Sequence, residues 1–393
     1  MDGKKTKKTL LAEIDKLRDP RGFIKAGSPR FERLFGRDSL IVAWQLLEID
    51  PSVCWTTIKV LSELQGKKFD PFHEEEPGKI IHETDDKPHP EHPDEIPFPY
   101  YGSVDSTPLF VIVAGMYFRA AARKEGAERR HIDKTNDRAF LEKHWPNIKA
   151  ALNWILEYGD ADGDTFLEYR RKGRGLFHQG WKDSSEDHLG IKPPVAIVEA
   201  QGYAYYAFKQ GASLAKLLGE NDEAQKYDQQ ADQLKKNFNR RFWMEKEKFF
   251  ALAFDGDKKQ KRAITSNPGH LLFTGIVKEN YLKSLIQRLF KPDLWTPYGI
   301  RTHSTEEPDF DPLSYHLGSI WPHDNWIIAQ GLKRIGAEKE YRQVRDAVLK
   351  AYHELGFAPE LYGVVEGKLT QIPLACHPQG WATGAILNFL SKD

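Results

Sequence analysis

Residues 180–184, Gly-Trp-Lys-Asp-Ser, place an aromatic ring, a cation and a carboxylic acid side by side. They follow a basic, glycine-containing stretch at 170–175 and precede a helical pattern, so we expect a loop. A tryptophan beside an acid suits sugar chemistry, because the indole face packs on the apolar face of a pyranose. The ring also favours a protonated Asp183 by lowering the local dielectric, whereas Lys182 favours the carboxylate. The alternative is structural, with Trp181 in a core and Asp183 at a helix N-cap or in a surface loop.

Hydrolysis of a glycoside requires two carboxyl groups in opposite protonation states. One protonates the leaving oxygen, and the other activates water or attacks the anomeric carbon. Asp183 is the candidate acid. Glu360, which follows Pro359 in a loop before the last predicted helix, is the candidate second carboxylate. Its rivals are four other acids of the chain: Glu199, Asp105, Glu83 and Glu366.

Other polar and aromatic side chains also stand next to predicted helix starts. An arginine beside an aspartate, as at Arg37 and Asp38, offers both donors and acceptors to sugar hydroxyls. A structural ion pair is the alternative for that pair, and a core position is the alternative for the tryptophans. The candidate substrate-binding residues are Arg37, Asp38, Asp105, Trp181, Lys182, Glu199, Gln201, Trp321, His323, Asp324, Gln379 and Trp381.

The helical patterns alternate between two kinds. A helix that is apolar on nearly all sides, preceded by a polar and aromatic loop, is followed by an amphipathic helix, and this unit recurs five or six times. Such alternation is typical of two concentric rings of helices, with the loops into the inner helices gathered at one end. The apolar spacing at residues 6–18 predicts a short amphipathic helix, which we expect to pack on this all-α unit. The pattern at residues 249–254 predicts a short strand pair. An irregular helical bundle is the alternative.

Two segments raise the question of a metal. The loop 67–102 carries His73, His82, His89 and His92, but their spacing matches no known ligand pattern. Residues 160–164, Asp-Ala-Asp-Gly-Asp, resemble the start of a calcium loop, yet the twelfth position is Arg171 rather than a glutamate. We therefore predict a tight acidic turn leading into a short strand, and no metal site.

Composition excludes several classes of protein. Lysine plus arginine and aspartate plus glutamate number 57 each, so no net charge attracts nucleic acid or an anionic membrane. Cys54 and Cys376 are far apart and in apolar segments, which indicates free thiols. The first eight residues are polar and no apolar run is long enough for a membrane span, so we expect a soluble cytoplasmic protein.

Seven stretches of the chain resemble the catalytic domain of amylo-alpha-1,6-glucosidase and related glycogen debranching proteins, within the six-hairpin glycosidases. They extend over almost the whole chain from about residue 25. The stretches are residues 34–40, 75–80, 101–110, 179–184, 265–270, 318–325 and 376–382.

This resemblance implies an (α/α)6 barrel with small β-hairpin insertions, forming one catalytic domain over 1–393. It further implies inverting hydrolysis of alpha-glucosides without a cofactor, with Asp183 as general acid and Glu360 as general base. Arg37 and Asp38 would bind the terminal sugar. Many relatives carry a β-rich domain before the barrel, and we expect no separate β domain here, so specificity for alpha-1,6 branches is an open point.

Two other functions compete with a hydrolase of oligosaccharides or glucans. One is a non-catalytic sugar-binding or assembly subunit that works with a partner chain. The other is a glycoside phosphorylase, for which the loop with Lys172 and Arg174 would supply the phosphate pocket. Whether the protein forms a homo-oligomer or joins a partner subunit is also open.

Overall fold

The computed structural model describes residues 3–85, 96–123 and 134–391. It is about 48% helical, and the described residues form twelve α-helices. These are α1 (Gly3–Lys16), α2 (Gly36–Leu46), α3 (Ser52–Glu63), α4 (Ser106–Arg123), α5 (Lys134–Glu157), α6 (Val198–Leu218), α7 (Asn221–Arg241), α8 (Leu271–Thr274), α9 (Glu279–Leu289), α10 (Pro322–Arg334), α11 (Glu338–Leu355) and α12 (Gly380–Leu390).

The even-numbered helices contact one another in a closed circle. Helix α2 contacts α4, α4 contacts α6, and the series continues through α8, α10 and α12 back to α2. Nearly every described residue of α2, α6, α10 and α12 is buried, in keeping with their apolar sequences. Helix α8 is only four residues long because Gly275, at φ 85°, ends it in the left-handed conformation.

The odd-numbered helices cover this circle from outside. Helix α3 packs on α2 and α4, α5 on α4 and α6, α7 on α6, and α11 on α10 and α12. Helix α1 contacts α12, and α9 contacts the 3-10 turn Asn267–His270 that precedes α8. Their polar outer faces fit this position, since α7, α9 and α11 bury only one stripe each.

Within the described ranges, eleven short strands lie in the loops between the helices. They are β1 (Leu34–Phe35), β2 (Glu83–Thr84), β3 (Ala196–Ile197), β4 (Trp243–Met244), β5 (Phe249–Phe250), β6 (Ala253–Phe254), β7 (Gln260–Lys261), β8 (Trp295–Thr296), β9 (Gly299–Ile300), β10 (Tyr362–Val365) and β11 (Lys368–Gln371). All pairings are antiparallel: β1 with β2, β4 with β5, β8 with β9, β10 with β11, and β6 with both β3 and β7.

Three details of the predicted elements are corrected. Residues 249–254 do form strands, but β5 and β6 pair with other partners and not with each other. The apolar pattern that follows Pro193-Pro194 predicts a helix from that point, but α6 begins only at Val198, because residues 196–197 are extended and pair with β6. The short strand expected after the acidic turn is reduced to one bridge, between Tyr169 and Val195.

The loop 67–102 is partly described. Its strand β2 pairs with β1 and so brings His82 next to the start of α2. His89 and His92 lie outside the described residues. Both cysteines are buried and free. Along the described ranges no helix is long and apolar enough to cross a bilayer.

A lysine neutralises the acidic turn at residues 160–164. The Lys258 ammonium lies 2.6 Å from Asp162 Oδ2 and 3.1 Å from Asp164 Oδ2, and it also bonds Glu168. Burial alone would lower the pKa of Lys258, but these hydrogen bonds outweigh it and raise the pKa. The turn therefore has a side-chain cation among its acids, and its three aspartates, Asp160, Asp162 and Asp164, also lie close enough together to hold a metal ion.

Replacing Lys258 by methionine should destabilise the fold by about 1–2 kcal/mol, because three acids lose their shared counter-ion. Thermal unfolding measures the loss. Lys192→Met is the matched control, since Lys192 pairs with Asp257 at 2.6 Å on the open surface, and it should leave stability essentially unchanged. Equal melting temperatures for both variants and the wild type would show that the turn does not depend on Lys258.

Candidate active site

The loops that lead into α2, α10 and α12 meet the 181–183 segment around one cavity. Its empty volume is about 340 Å³. The wall is built from aromatic rings, carboxyl groups and one fully buried arginine. It is formed by Ala26, Phe31, Phe35, Arg37, Asp38, Trp181, Asp183, Tyr315, His316, Trp321, Glu360, Gln379 and Trp381.

Arg37, in the first turn of α2, ties three of these loops together. Its Nη1 donates to the Gly180 carbonyl at 3.0 Å and to Asp105 Oδ2 at 3.3 Å. Its Nη2 donates to Asp183 Oδ2, and its Nε lies 3.7 Å from Asp38 Oδ1. The guanidinium is also 5.7 Å from the Trp381 ring centroid. With its side chain only 4% exposed, Arg37 fixes the acids more than it offers itself to a ligand.

Asp183 reaches the cavity from the end of the Gly-Trp-Lys-Asp stretch. Its side chain is 24% exposed, so a ligand in the cavity can touch it. Burial raises the pKa of Asp183 above its ordinary value, although the charge and hydrogen bond of Arg37 oppose that rise. His82 Nε2 lies 3.7 Å from Asp183 Oδ2. Burial and nearby cations lower the pKa of His82 well below its ordinary value, so this histidine is neutral.

Glu360 enters the cavity from the segment between α11 and β10. Its side chain is 1% exposed and four groups donate to it. Its Oε1 accepts from the Tyr315 hydroxyl and from Gln379 Nε2 at 3.3 Å. Its Oε2 accepts from the Cys376 amide at 2.9 Å and from Arg30 Nη2 at 3.4 Å. Burial raises the pKa of Glu360, and these donors counteract that rise by stabilising the carboxylate.

The environment of Asp38 differs from those of Asp183 and Glu360. Burial outweighs Arg37 and, with the neighbouring charges of Asp183 and Glu360, raises the pKa of Asp38 to about 8. Asp38 Oδ1 is buried and has no hydrogen-bond partner in the described part of the chain. A carboxyl group with a raised pKa can donate to a ligand hydroxyl when it holds a proton and accept from one when it is ionised.

Three tryptophans, Trp181, Trp321 and Trp381, line the cavity. Trp321 meets Trp181 edge-on at 5.8 Å between ring centroids and Trp381 at 5.9 Å. The Trp381 ring stacks on His323 at 3.7 Å with the planes 3° apart. His323 thereby supports Trp381 from behind instead of lining the cavity.

Five other predicted binding residues lie beneath the cavity wall. Asp105 is fully buried between Arg37 and Ser103. Lys182 donates to the Thr302 carbonyl at 2.7 Å, and burial lowers its pKa to about 8. Asp324 Oδ1 is 2.7 Å from His270 Nε2.

The other two of these five residues, Glu199 and Gln201, lie on α6. Burial raises the pKa of Glu199 to about 7, although His270 and a hydrogen bond from Asn267 oppose that rise. The Gln201 side-chain oxygen accepts from the Leu167 amide, and its nitrogen donates to the carbonyls of Leu167 and Ile197. Gln201 is therefore saturated by backbone groups, and we reassign it from substrate binding to holding residue 167 against α6.

The remaining rivals of Glu360 do not reach the cavity wall. Glu83 is paired with Arg33, whose Nε donates to it at 2.7 Å. Glu366 is exposed in the turn between β10 and β11. Among the candidates from the sequence, Asp183, Glu360, Arg37, Asp38, Gln379 and the three tryptophans are those that meet at the cavity.

Sequence reasoning missed Arg30 and Tyr315. Arg30 lies in the segment before β1, and Tyr315 lies in a long segment between β9 and α10. The one available signal for Tyr315 is its place just before the Gly318–Asn325 stretch. Arg30 stands near the start of the resembling region but outside any stretch with a recognisable pattern.

Solved structures share this fold over its whole length. The mannosylglycerate hydrolase of family GH63 from Thermus thermophilus, in complex with Tris, superposes with a TM-score of 0.74, covers 99% of this chain and 100% of its own, and is 14% identical. The same hydrolase with Tris and D-glycerate gives a TM-score of 0.73 at 14% identity, again over 99% of this chain and 100% of its own. An uncharacterised conserved protein of that organism gives 0.75 at 15% identity, with the same coverage.

The sequence itself defines the family. Residues 165–370, just over half of the chain, match the model of the mannosylglycerate hydrolase MGH1-like glycoside hydrolase domain. The chain therefore belongs to this family of glycoside hydrolase domains. A mannosylglycerate hydrolase of Rubrobacter radiotolerans is 25% identical over 151 residues, which is 37% of this chain. That match spans only 34% of the length of the relative.

Proposed function

We propose that the protein is an inverting glycoside hydrolase that cleaves a small alpha-glycoside, with Asp183 as general acid and Glu360 as general base. The observation that carries this proposal is the presence of both carboxyl groups on the wall of one cavity, in unlike environments. A general acid and a general base need opposite protonation states, and different surroundings of the two carboxyl groups can produce them. The six contacting helices and their cover correspond, in this proposal, to an (α/α)6 barrel that acts as one catalytic domain.

The two acids suit opposite roles. Burial raises the pKa of both carboxyl groups. Asp183 is the more exposed of the pair, so it is the one that can pass a proton to the leaving oxygen. Glu360 receives four donors, including the cationic Arg30, and this set stabilises the ionised form that removes a proton from water. Asp38 and Trp381 would hold the sugar between them. In an inverting enzyme the carboxyl groups stand about 6.5–9.5 Å apart to admit the water.

The names of the relatives bear on the substrate. The matching family is described as mannosylglycerate hydrolase MGH1-like, and the matching hydrolases of Rubrobacter radiotolerans and Thermus thermophilus are named mannosylglycerate hydrolases. We take alpha-linked mannosylglycerate as the first candidate. Debranching of alpha-1,6 glucans, the expectation from the sequence, becomes the second.

The phosphorylase alternative loses part of its support. Lys172, one of the two cations proposed for the phosphate pocket with Arg174, donates through its backbone amide to Glu74 at 3.1 Å and through its ammonium to Glu76. A cation already neutralised by a buried acid is a poor anion site.

A substrate panel tests the proposal. The purified protein is incubated with mannosylglycerate, isomaltose, panose, maltose and a branched limit dextrin, each with and without phosphate, and released sugars are quantified. We expect mannose from mannosylglycerate, unaffected by phosphate. Glucose from panose or limit dextrin alone would support debranching, and a sugar phosphate would support a phosphorylase. Binding without release from any of the five would support a binding subunit.

The pH profile gives a second test. Glu360 must be ionised, so activity is lost as pH falls through its pKa, and Asp183 must be protonated, so activity is lost as pH rises through its pKa. Because burial raises both pKa values, we expect a bell whose two limbs lie above the ordinary carboxyl range. The values of kcat/KM, obtained from initial rates across the pH range, give this profile. A profile that keeps rising into alkaline pH would contradict the role of Asp183.

A further inference from the structure

The carboxylate of Glu360 is held by four donors. Gln379 and Arg30 approach at 3.3 and 3.4 Å, near the limit for a hydrogen bond, and the Tyr315 hydroxyl and the Cys376 amide are the other two donors. A carboxylate has about four lone-pair positions, and the four donors occupy them. An attacking water that binds Glu360 must therefore displace one of the weak donors, while the contact with Tyr315 remains.

Trp321 and Ser319 hold Tyr315 in place. Its ring packs edge-on against Trp321 at 4.9 Å between centroids and 88° between planes. Its carbonyl accepts from Trp321 Nε1 at 2.9 Å and from Ser319 Oγ at 2.8 Å. The hydroxyl therefore approaches Glu360 from a single direction that the Trp321 loop sets.

We propose that Tyr315 is a positioning residue for Glu360: its hydroxyl aims the carboxylate at the water and keeps it ionised. Arg30 assists from the other oxygen, with its guanidinium 4.8 Å from the Phe31 centroid and 5.7 Å from that of Tyr315. This inference rests on the proposed role of Glu360 as general base. It assigns a task to Tyr315, which the sequence analysis left without a function.

Tyr315→Phe tests the inference, since it removes the hydroxyl and keeps the ring. Loss of a donor to the carboxylate raises the pKa of Glu360, so the acid limb of the kcat profile should move up by about one pH unit. At a pH below that limb kcat should fall about tenfold, while KM changes less than about twofold. The pH dependence of both constants on the substrate identified by the panel is the measurement.

Tyr298→Phe is the matched control. The Tyr298 hydroxyl also donates to a glutamate, Glu354 Oε2 at 2.9 Å, but on helix α11 at the outside of the fold. Its loss should leave both limbs of the profile in place. An unshifted acid limb in Tyr315→Phe would overturn the inference, as would a raised KM at unchanged kcat, which would make Tyr315 a substrate contact.

Two further measurements keep the result interpretable. If Tyr315→Phe does not fold, Tyr315 can be replaced by 3-fluorotyrosine, a more acidic phenol of almost the same shape. This replacement should move the acid limb to lower pH, and no movement would reject the inference.

Glu360→Gln separates the role of Glu360 as general base from the role of Tyr315 as its positioning residue. Full activity in that variant would reject the proposed base itself, whereas loss of activity there with a normal Tyr315→Phe profile rejects the role of Tyr315 alone.

Discussion

Asp183→Asn should lower kcat by about 10²–10⁴-fold on a glycoside with a poor leaving group, because asparagine cannot protonate the departing oxygen. The amide has almost the shape of the acid and can still contact Arg37, so we expect the fold to remain intact. Initial-rate kinetics and thermal unfolding measure the two properties. The substitution replaces a carboxyl group that is 24% exposed to the cavity and bonded to Arg37.

A leaving group that needs no proton distinguishes this role from a general loss of function. On a glycosyl fluoride, or on an aryl glycoside with a strongly acidic phenol, Asp183→Asn should retain much more of the wild-type rate. Asp257→Asn, which changes an aspartate exposed on the surface, is the control and should behave as wild type on both substrates. Full activity of Asp183→Asn on the natural substrate would mean that another group is the acid.

Glu360→Gln should lower kcat by a similar factor, but on good and poor leaving groups alike. The general base activates water whatever group departs, so an acidic leaving group does not replace it. Glutamine keeps the shape of the side chain, and its single carbonyl oxygen can accept from either Tyr315 or the Cys376 amide, which bond different oxygens of Glu360. Rates on both substrate types, with the folded state checked by circular dichroism, are the measurement.

Glu366→Gln is the control for this experiment. Glu366 is a rival for the base in the sequence, it lies six residues further along the chain, and it is exposed in the turn between β10 and β11. It should keep wild-type kinetics. If Glu360→Gln regained the wild-type rate on an activated leaving group, Glu360 would be acting at the leaving-group side and the two roles would be exchanged.

Much of the architecture could be predicted from the sequence because burial leaves a clear periodic signal. Helices covered on both sides are apolar nearly all round, and those covered on one side are amphipathic. The amphipathic pattern at residues 279–289 even has the observed bounds of α9. Strand partners could not be predicted, since two-residue strands such as β5 and β6 have no period and pair through contacts set by the whole fold.

The candidate site could be predicted in part, for a related reason. The loops into the inner helices do bring Arg37, Trp181, Asp183 and Glu360 to one cavity. Sequence position does not reveal which way a side chain points, so the sequence predicts sugar binding for Lys182 although its ammonium faces the Thr302 carbonyl. Arg30 carries no signal in the sequence because its role depends on a contact with Glu360 across 330 positions of the chain.

The configuration of the first sugar released tests the central proposal most directly. Proton NMR can follow the anomeric signal of that sugar from the moment the enzyme is added to the alpha-glycoside identified by the panel. We expect the β-anomer to appear first and the α-anomer to follow only through mutarotation, because water directed by Glu360 attacks the face opposite the leaving group. Initial release of the α-anomer would contradict inversion and would mean that a carboxylate attacks the sugar directly.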